Sequence, residues 1–131
     1  MTEIKKFTKI VLLVFTIIFL LMGTLLTFLF DLTMNPEGWT DPFYPRFFGG
    51  VVYVCAIFTF LMYRKEVWEE IKFTFELLLG IFISTLTIQV AIWPFFAPSF
   101  GASITLLATS TTILMSIIVL LAIISYIKQR S

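Results

Sequence analysis

The sequence predicts an all-α fold, an integral membrane four-helix bundle, organised as a single membrane domain over residues 1–131. Three observations carry this expectation. Of the 131 residues, 60% are apolar and 13% are charged, about half the charged share of ordinary soluble domains. Four long stretches are almost free of charge. The charged residues gather in the breaks between them, too few and too clustered to supply a soluble domain with a polar exterior. The same counts exclude a disordered chain and, at a net charge of +1, a nucleic-acid binder driven by charge.

The first span is residues 10–30, which carry no charge and reach about 31 Å as a helix, one bilayer crossing. Its basic start resembles a secretory signal. Its apolar run is longer than the usual roughly 7–15 residues and no small-x-small site follows, so it is read as a retained span. The second span, 47–63, is short and uncharged. The third, 73–93, is interrupted only by Glu76. The fourth, 102–127, is longer than a crossing needs and is expected to tilt or to begin in the interface. Asn35-Pro36-Glu37-Gly38 and Asp41-Pro42 mark the first loop, and Pro94 and Pro98 mark the third.

Charge placement predicts the orientation. Lys5, Lys6 and Lys9 precede the first span, Arg64, Lys65 and Lys72 separate the second from the third, and Lys128 and Arg130 follow the fourth. With four crossings these regions share one side, which holds all the cations except Arg46. The positive-inside rule then puts both termini in the cytoplasm. Trp39, Tyr44 and Trp93 fall at the outer boundary, and Tyr63, Trp68 and Tyr126 at the inner one. Residues 64–72 read as the one cytoplasmic loop or as the interfacial start of the third helix, and Lys65 and Glu69 have the i,i+4 spacing of a helical pair.

Small and hydroxyl residues form stripes. Thr16, Gly23, Thr24, Thr27 and Asp31 share an arc of about 100° on the first helix. Glu76, Gly80, Ser84, Thr87 and Ala91 do so on the third, and Thr105, Thr109, Thr112 and Ser116 on the fourth. Lipid gives helices no hydrophobic reason to associate, so close approach at small residues and hydroxyl bonds carry the packing. The three stripes are therefore expected to form the bundle interior. On the second helix, Gly49, Gly50, Cys55, Ala56 and Thr59 divide between two faces. Thr85 and Gln89 lie opposite Thr87 and suit a second contact, as in a homodimer.

Glu76 is the one ionisable residue inside an apolar span. Such an acid is a functional hypothesis by default. It serves either as a proton- or cation-coupling group or as an inner-boundary residue paired with Lys72. On the first alternative, Glu76, Thr27, Ser84, Thr87, Thr109 and Thr112 mark a ligand or ion pathway. Arg46 opens the second helix, where the macrodipole disfavours a cation. Asp31 is a candidate partner, the two forming an outer gate or an anchor, and a lipid phosphate is the other. Asp31, Glu37 and Asp41 make the outer loop acidic without the ligand spacing of a calcium loop.

The counts also exclude chemistry. There is no His and one Cys, Cys55. An intrachain disulfide, a thiolate metal cage and a Ser–His or Cys–His nucleophile pair cannot form within one chain. No phosphate-binding Gly loop is present. No cofactor and no metal are expected, and an enzyme is the least supported class.

Residues 42–50 and 94–102 are alike: Pro-Phe-Tyr-Pro-Arg-Phe-Phe-Gly-Gly against Pro-Phe-Phe-Ala-Pro-Ser-Phe-Gly-Ala. Both enter an inward-running helix, which fits two tandem helical hairpins. Arg46-Phe47-Phe48-Gly49-Gly50, opening the second of four helices after a Pro-containing outer loop, resembles small four-helix membrane proteins of the DoxX-like kind. Specific similarity is confined to about those five residues, while the span layout covers most of the chain. The resemblance implies a membrane subunit and transfers no functional residue. Small multidrug transporters place a carboxylate deep in the first helix, where this chain has none before Asp31.

Two functions are expected to compete. One is a non-enzymatic subunit or binding module, whose helix interior and outer aromatic loops contact a partner or an apolar ligand. Its partners are the bilayer and a homodimer or larger membrane complex. The other is a small transporter or channel with Glu76 as its coupling acid.

Overall fold

The computed structural model describes residues 1–29, 43–96 and 102–131, excepting the side chains of 44, 45, 92–96 and 102–108. Among the described residues four helices follow one another: α1 Lys6–Thr27, α2 Phe43–Tyr63, α3 Trp68–Phe96 and α4 Ala102–Arg130. Among the described residues there is no strand, only an isolated antiparallel bridge between Glu3 and Val67. Each helix contains a segment long and apolar enough to cross a membrane: Lys6–Thr27, Arg46–Tyr63, Trp68–Ala91 and Thr109–Arg130. The all-helical expectation is met. α1 stops at Thr27, short of the expected limit at residue 30; elsewhere the helices reach or outrun the edges of the uncharged stretches, because Lys, Arg and Glu are themselves good helix formers at exposed ends. α3 also continues through Pro94 to Phe96. A proline this close to a helix end removes a single backbone bond.

The chain forms two compact units, Met1–Lys72 and Phe73–Ser131, with α3 beginning in the first and continuing in the second. In the first unit, α1 buries Thr8, Val11, Leu12, Phe15, Thr16, Phe19 and Gly23. Their spacing of three and four traces one face. α2 buries Gly49, Val52, Cys55, Ala56, Thr59 and Met62. The small residues of α2 thus gather on one buried face, apart from Gly50, beside which a Cβ would meet open space. The expected division between two faces thus reduces to Gly50 against the rest.

The two helices come close at their glycines. A Cβ on Gly23 would lie 2.9 Å from Tyr53 Cδ1. A Cβ on Gly49 would collide with Thr27 Oγ1, and would stand 3.2 Å from both the Gly23 carbonyl oxygen and Leu26 Cβ. Close approach brings two hydroxyls together: Thr16 Oγ1 and Thr59 Oγ1 are 2.9 Å apart and buried. Each also contacts a carbonyl of its own helix, Leu12 O and Ala56 O respectively. Two hydroxyl hydrogens therefore serve three contacts. At any instant one hydroxyl donates across the interface while the other donates to its own backbone.

The amino-terminal residues close the other end of this unit. Ile4 N–H donates to Glu66 O at 2.9 Å, and Trp68 N–H donates to Thr2 O at 2.8 Å. The second bond satisfies an amide at the start of α3, where a helix has no acceptor of its own. Thr2 N–H donates to both carboxylate oxygens of Glu69, at 3.0 and 2.9 Å. Lys9 pairs with Glu66 at 2.7 Å and Lys65 with Glu70 at 2.9 Å. The expected Lys65–Glu69 pair is thus replaced. Lys65 precedes the helix, its N–H turned to Met62 O, so i,i+4 geometry does not apply to it, and Glu69 is committed to Thr2.

In the second unit, α3 buries Phe75, Leu78 and Phe82, and α4 buries Met115, Ile118, Val119, Ala122, Ser125 and Gln129. These are mostly the bulky faces. The stripes expected inside on α3 and α4 lie elsewhere: Glu76, Gly80, Ser84, Thr87, Ala91, Thr109 and Ser116 are exposed and Thr112 is half-buried. Large side chains make more dispersion contacts than small ones and take the packed side. The proposed repeat segments, 42–50 and 94–102, lie partly outside the described residues.

Two measurements test this packing by reversible unfolding in micelles. Thr16→Val and Thr59→Val should each destabilise, and their double-mutant cycle should show a coupling of about 0.6 kcal/mol. Gly49→Ala should cost roughly 1–3 kcal/mol by overpacking. Gly80→Ala, where a Cβ meets nothing within 4 Å, should instead stabilise α3 by up to about 1 kcal/mol through helix propensity.

Candidate functional site

Glu76 lies in the third turn of α3 and is exposed. Its carboxylate accepts a 2.6 Å hydrogen bond from the Tyr126 hydroxyl of α4. The Tyr126 ring stacks on Phe75, with centroids 6.2 Å apart and planes 19° from parallel. The Arg130 guanidinium lies over the same ring, 5.6 Å from its centroid, within cation–π range. Acid, phenol and guanidinium thus form one cluster in which the tyrosine stands between opposite charges. The hydroxyl end stabilises the carboxylate by a charge-assisted bond, and the ring attracts the cation.

The expected Lys72 partner is not the one that Glu76 finds. Tyr126 was legible only as an aromatic residue at the inner boundary. The clue was its spacing to Arg130, which puts both on one face of α4. Nothing in the sequence states that this face meets Glu76.

From Glu76 the stripe on α3 continues through Gly80, Ser84 and Thr87, all exposed. Thr87 Oγ1 donates to Ile83 O at 2.8 Å, and on the opposite face Thr85 Oγ1 donates to Ile81 O at 2.8 Å. On α4, Ser116 Oγ donates to Thr112 O at 2.8 Å. Back-bonding of this kind satisfies a hydroxyl within its own helix. Its hydrogen is spent and only its oxygen remains to accept. Thr87 and Ser116 therefore present only an acceptor oxygen beyond their own helix.

The remaining predicted residues separate by unit. Thr27 belongs to the first, half-buried at the end of α1, its Oγ1 buried without a hydrogen-bond partner. Thr109 is exposed on α4. Arg46 is exposed in the first turn of α2, and Asp31 lies outside the described residues, as do Glu37, Asp41 and Trp39. Among the described residues, no group of three or more Cys, Asp or Glu side chains is placed to hold a metal ion. Glu76, Gly80, Ser84 and Thr87 share one exposed face, with Tyr126 and Arg130 at its charged end.

Compared with known proteins, the chain matches no family model, no curated protein and no solved structure.

Proposed function

We propose that this chain is an integral membrane protein of four spans with both termini cytoplasmic. It acts as a non-enzymatic subunit that presents the small-residue ridge of α3 to another transmembrane helix. One observation carries the reading. Gly80, with Ser84 and Thr87 one and two turns on, sits on an exposed face where a Cβ would meet nothing within 4 Å. The bulky face of the same helix is filled by Phe75, Leu78 and Phe82. Small-xxx-small faces let helix backbones approach, which is how helices associate where lipid removes the hydrophobic drive.

The exposed apolar surface supports the membrane setting. Ile17, Leu21, Ile57, Phe73, Ile88 and Leu120 are each more than half exposed, on all four helices. Lipid is the solvent that makes such a surface costless. The cation asymmetry supports the orientation. The resemblance to DoxX-like membrane proteins fits the same class.

The test is cross-linking in native membranes. In a Cys55→Ala background, Gly80→Cys and Ser84→Cys should form oxidative cross-links, to a second copy or to a larger membrane partner. Thr74→Cys should not. Adding a Leu at position 84 to the Gly80→Cys chain should abolish its cross-link. A chain that stays unlinked under all these conditions removes the reading.

The transporter reading has one observation in its favour, the exposure of Glu76 within a candidate span. It expects Glu76→Gln to abolish proton-coupled flux in proteoliposomes. The subunit reading expects the wild-type chain to show no such flux.

A further inference from the structure

The amino end of α1 carries a groove of about 700 Å³ that neither the ridge nor the Glu76 cluster uses. Its lining lies entirely in the first unit. The composition divides along its length. Lys5, Lys6 and Lys9 bring three ammonium groups to the mouth. Ile10 and Leu13 follow Lys6 on one face of α1 at i+4 and i+7, and form an apolar floor. Tyr63, the last residue of α2, supplies the aromatic wall.

The mouth is held in shape. Lys9 is fixed by its 2.7 Å bond to Glu66, and the strand-like residues before α1 are fixed by the bonds of Ile4 to Glu66 and of Thr2 to Trp68. The first turn of α1 has no acidic side chain, and Lys5 at its start makes no side-chain capping bond. The helix end therefore adds partial positive charge of the same sign.

We infer that this groove binds an anionic phospholipid, its phosphate at Lys5 and Lys6 and the start of one acyl chain along Ile10 and Leu13. Three features select that occupant. The cations outnumber the carboxylates at the mouth, which complements a phosphate. The floor is apolar and continues into the exposed Ile17, which a soluble phosphate ester does not need. The groove also lies where α1 passes from its lysines to its uncharged span, the depth of a headgroup. Glu3 and Glu66 on the rim favour a headgroup with hydroxyl donors, such as phosphoglycerol. This goes beyond the ridge on α3 and rests only on the membrane setting. Insertion and lipid selection are read by separate arms of its test.

The experiment is native mass spectrometry of the whole chain released from nanodiscs. The discs contain equal parts of phosphatidylglycerol and phosphatidylcholine with identical acyl chains. Recovery in the discs reads insertion. Retained phosphatidylglycerol over phosphatidylcholine reads the groove. Wild type should retain phosphatidylglycerol selectively, and Lys5→Gln with Lys6→Gln should reduce that selectivity by roughly tenfold. Lys72→Gln with Lys128→Gln, which removes the same charge elsewhere, should leave it unchanged. Equal retention of both lipids overturns the proposal. So does an equal loss in the two double variants, or full displacement by glycerol phosphate alone.

Discussion

Gly23 and Gly49 let α1 and α2 approach until Thr16 and Thr59 exchange a buried hydrogen bond of 2.9 Å. Much of the first unit follows from that approach. Buried hydroxyls need partners, and each of these finds one on its own helix and one on the other. Tyr53 behaves in the same way further along. Its ring covers Gly23, and its hydroxyl meets Thr24 Oγ1 at 2.8 Å. Thr24 has already given its hydrogen to Leu20 O, so tyrosine is the donor. A methyl group added at Gly49 would press on Thr27, Leu26 and the Gly23 carbonyl, and one added at Gly23 would displace the Tyr53 ring.

The residues ahead of α1 extend this order to the start of α3. Thr2 supplies a carbonyl to Trp68 and an amide to Glu69, and Ile4 supplies an amide to Glu66. The short connection after α2 is thus tied by backbone bonds to a segment more than sixty positions away. Such a tie has no signature in composition, because backbone groups are common to all residues. It is also why the lysines at the chain's start have a defined arrangement beside Tyr63 and Glu66.

Small residues turn out to have two destinations. On α1 and α2 Thr16, Gly23, Gly49, Cys55, Ala56 and Thr59 are buried between the helices, while Thr24, expected inside, and Gly50 are exposed. On α3 they are exposed, while Phe75, Leu78 and Phe82 take the packed side. Small residues draw backbones together where their faces are paired, as on α1 and α2. On α3 the Glu76–Tyr126–Arg130 cluster gives the exposed small-residue face a charged end.

The four long helices of the described residues and their order were legible in the sequence, because hydrophobic length and the placement of charge are properties of the chain itself; most of their limits, which lie a few residues from the edges of the uncharged stretches, were not. Glu76 was legible as an exceptional residue for the same reason. Its partner was not: the choice of Tyr126 over Lys72 depends on which face of α4 meets α3. The burial of Thr16 and Gly23 was foreseen from their stripe, and the exposure of Gly80 and Ser84 was not, although the two stripes look alike in one dimension. Periodicity reports that residues share a face. Only the tertiary structure decides what that face touches, since this depends on the competing face of the same helix and on neighbours remote in sequence.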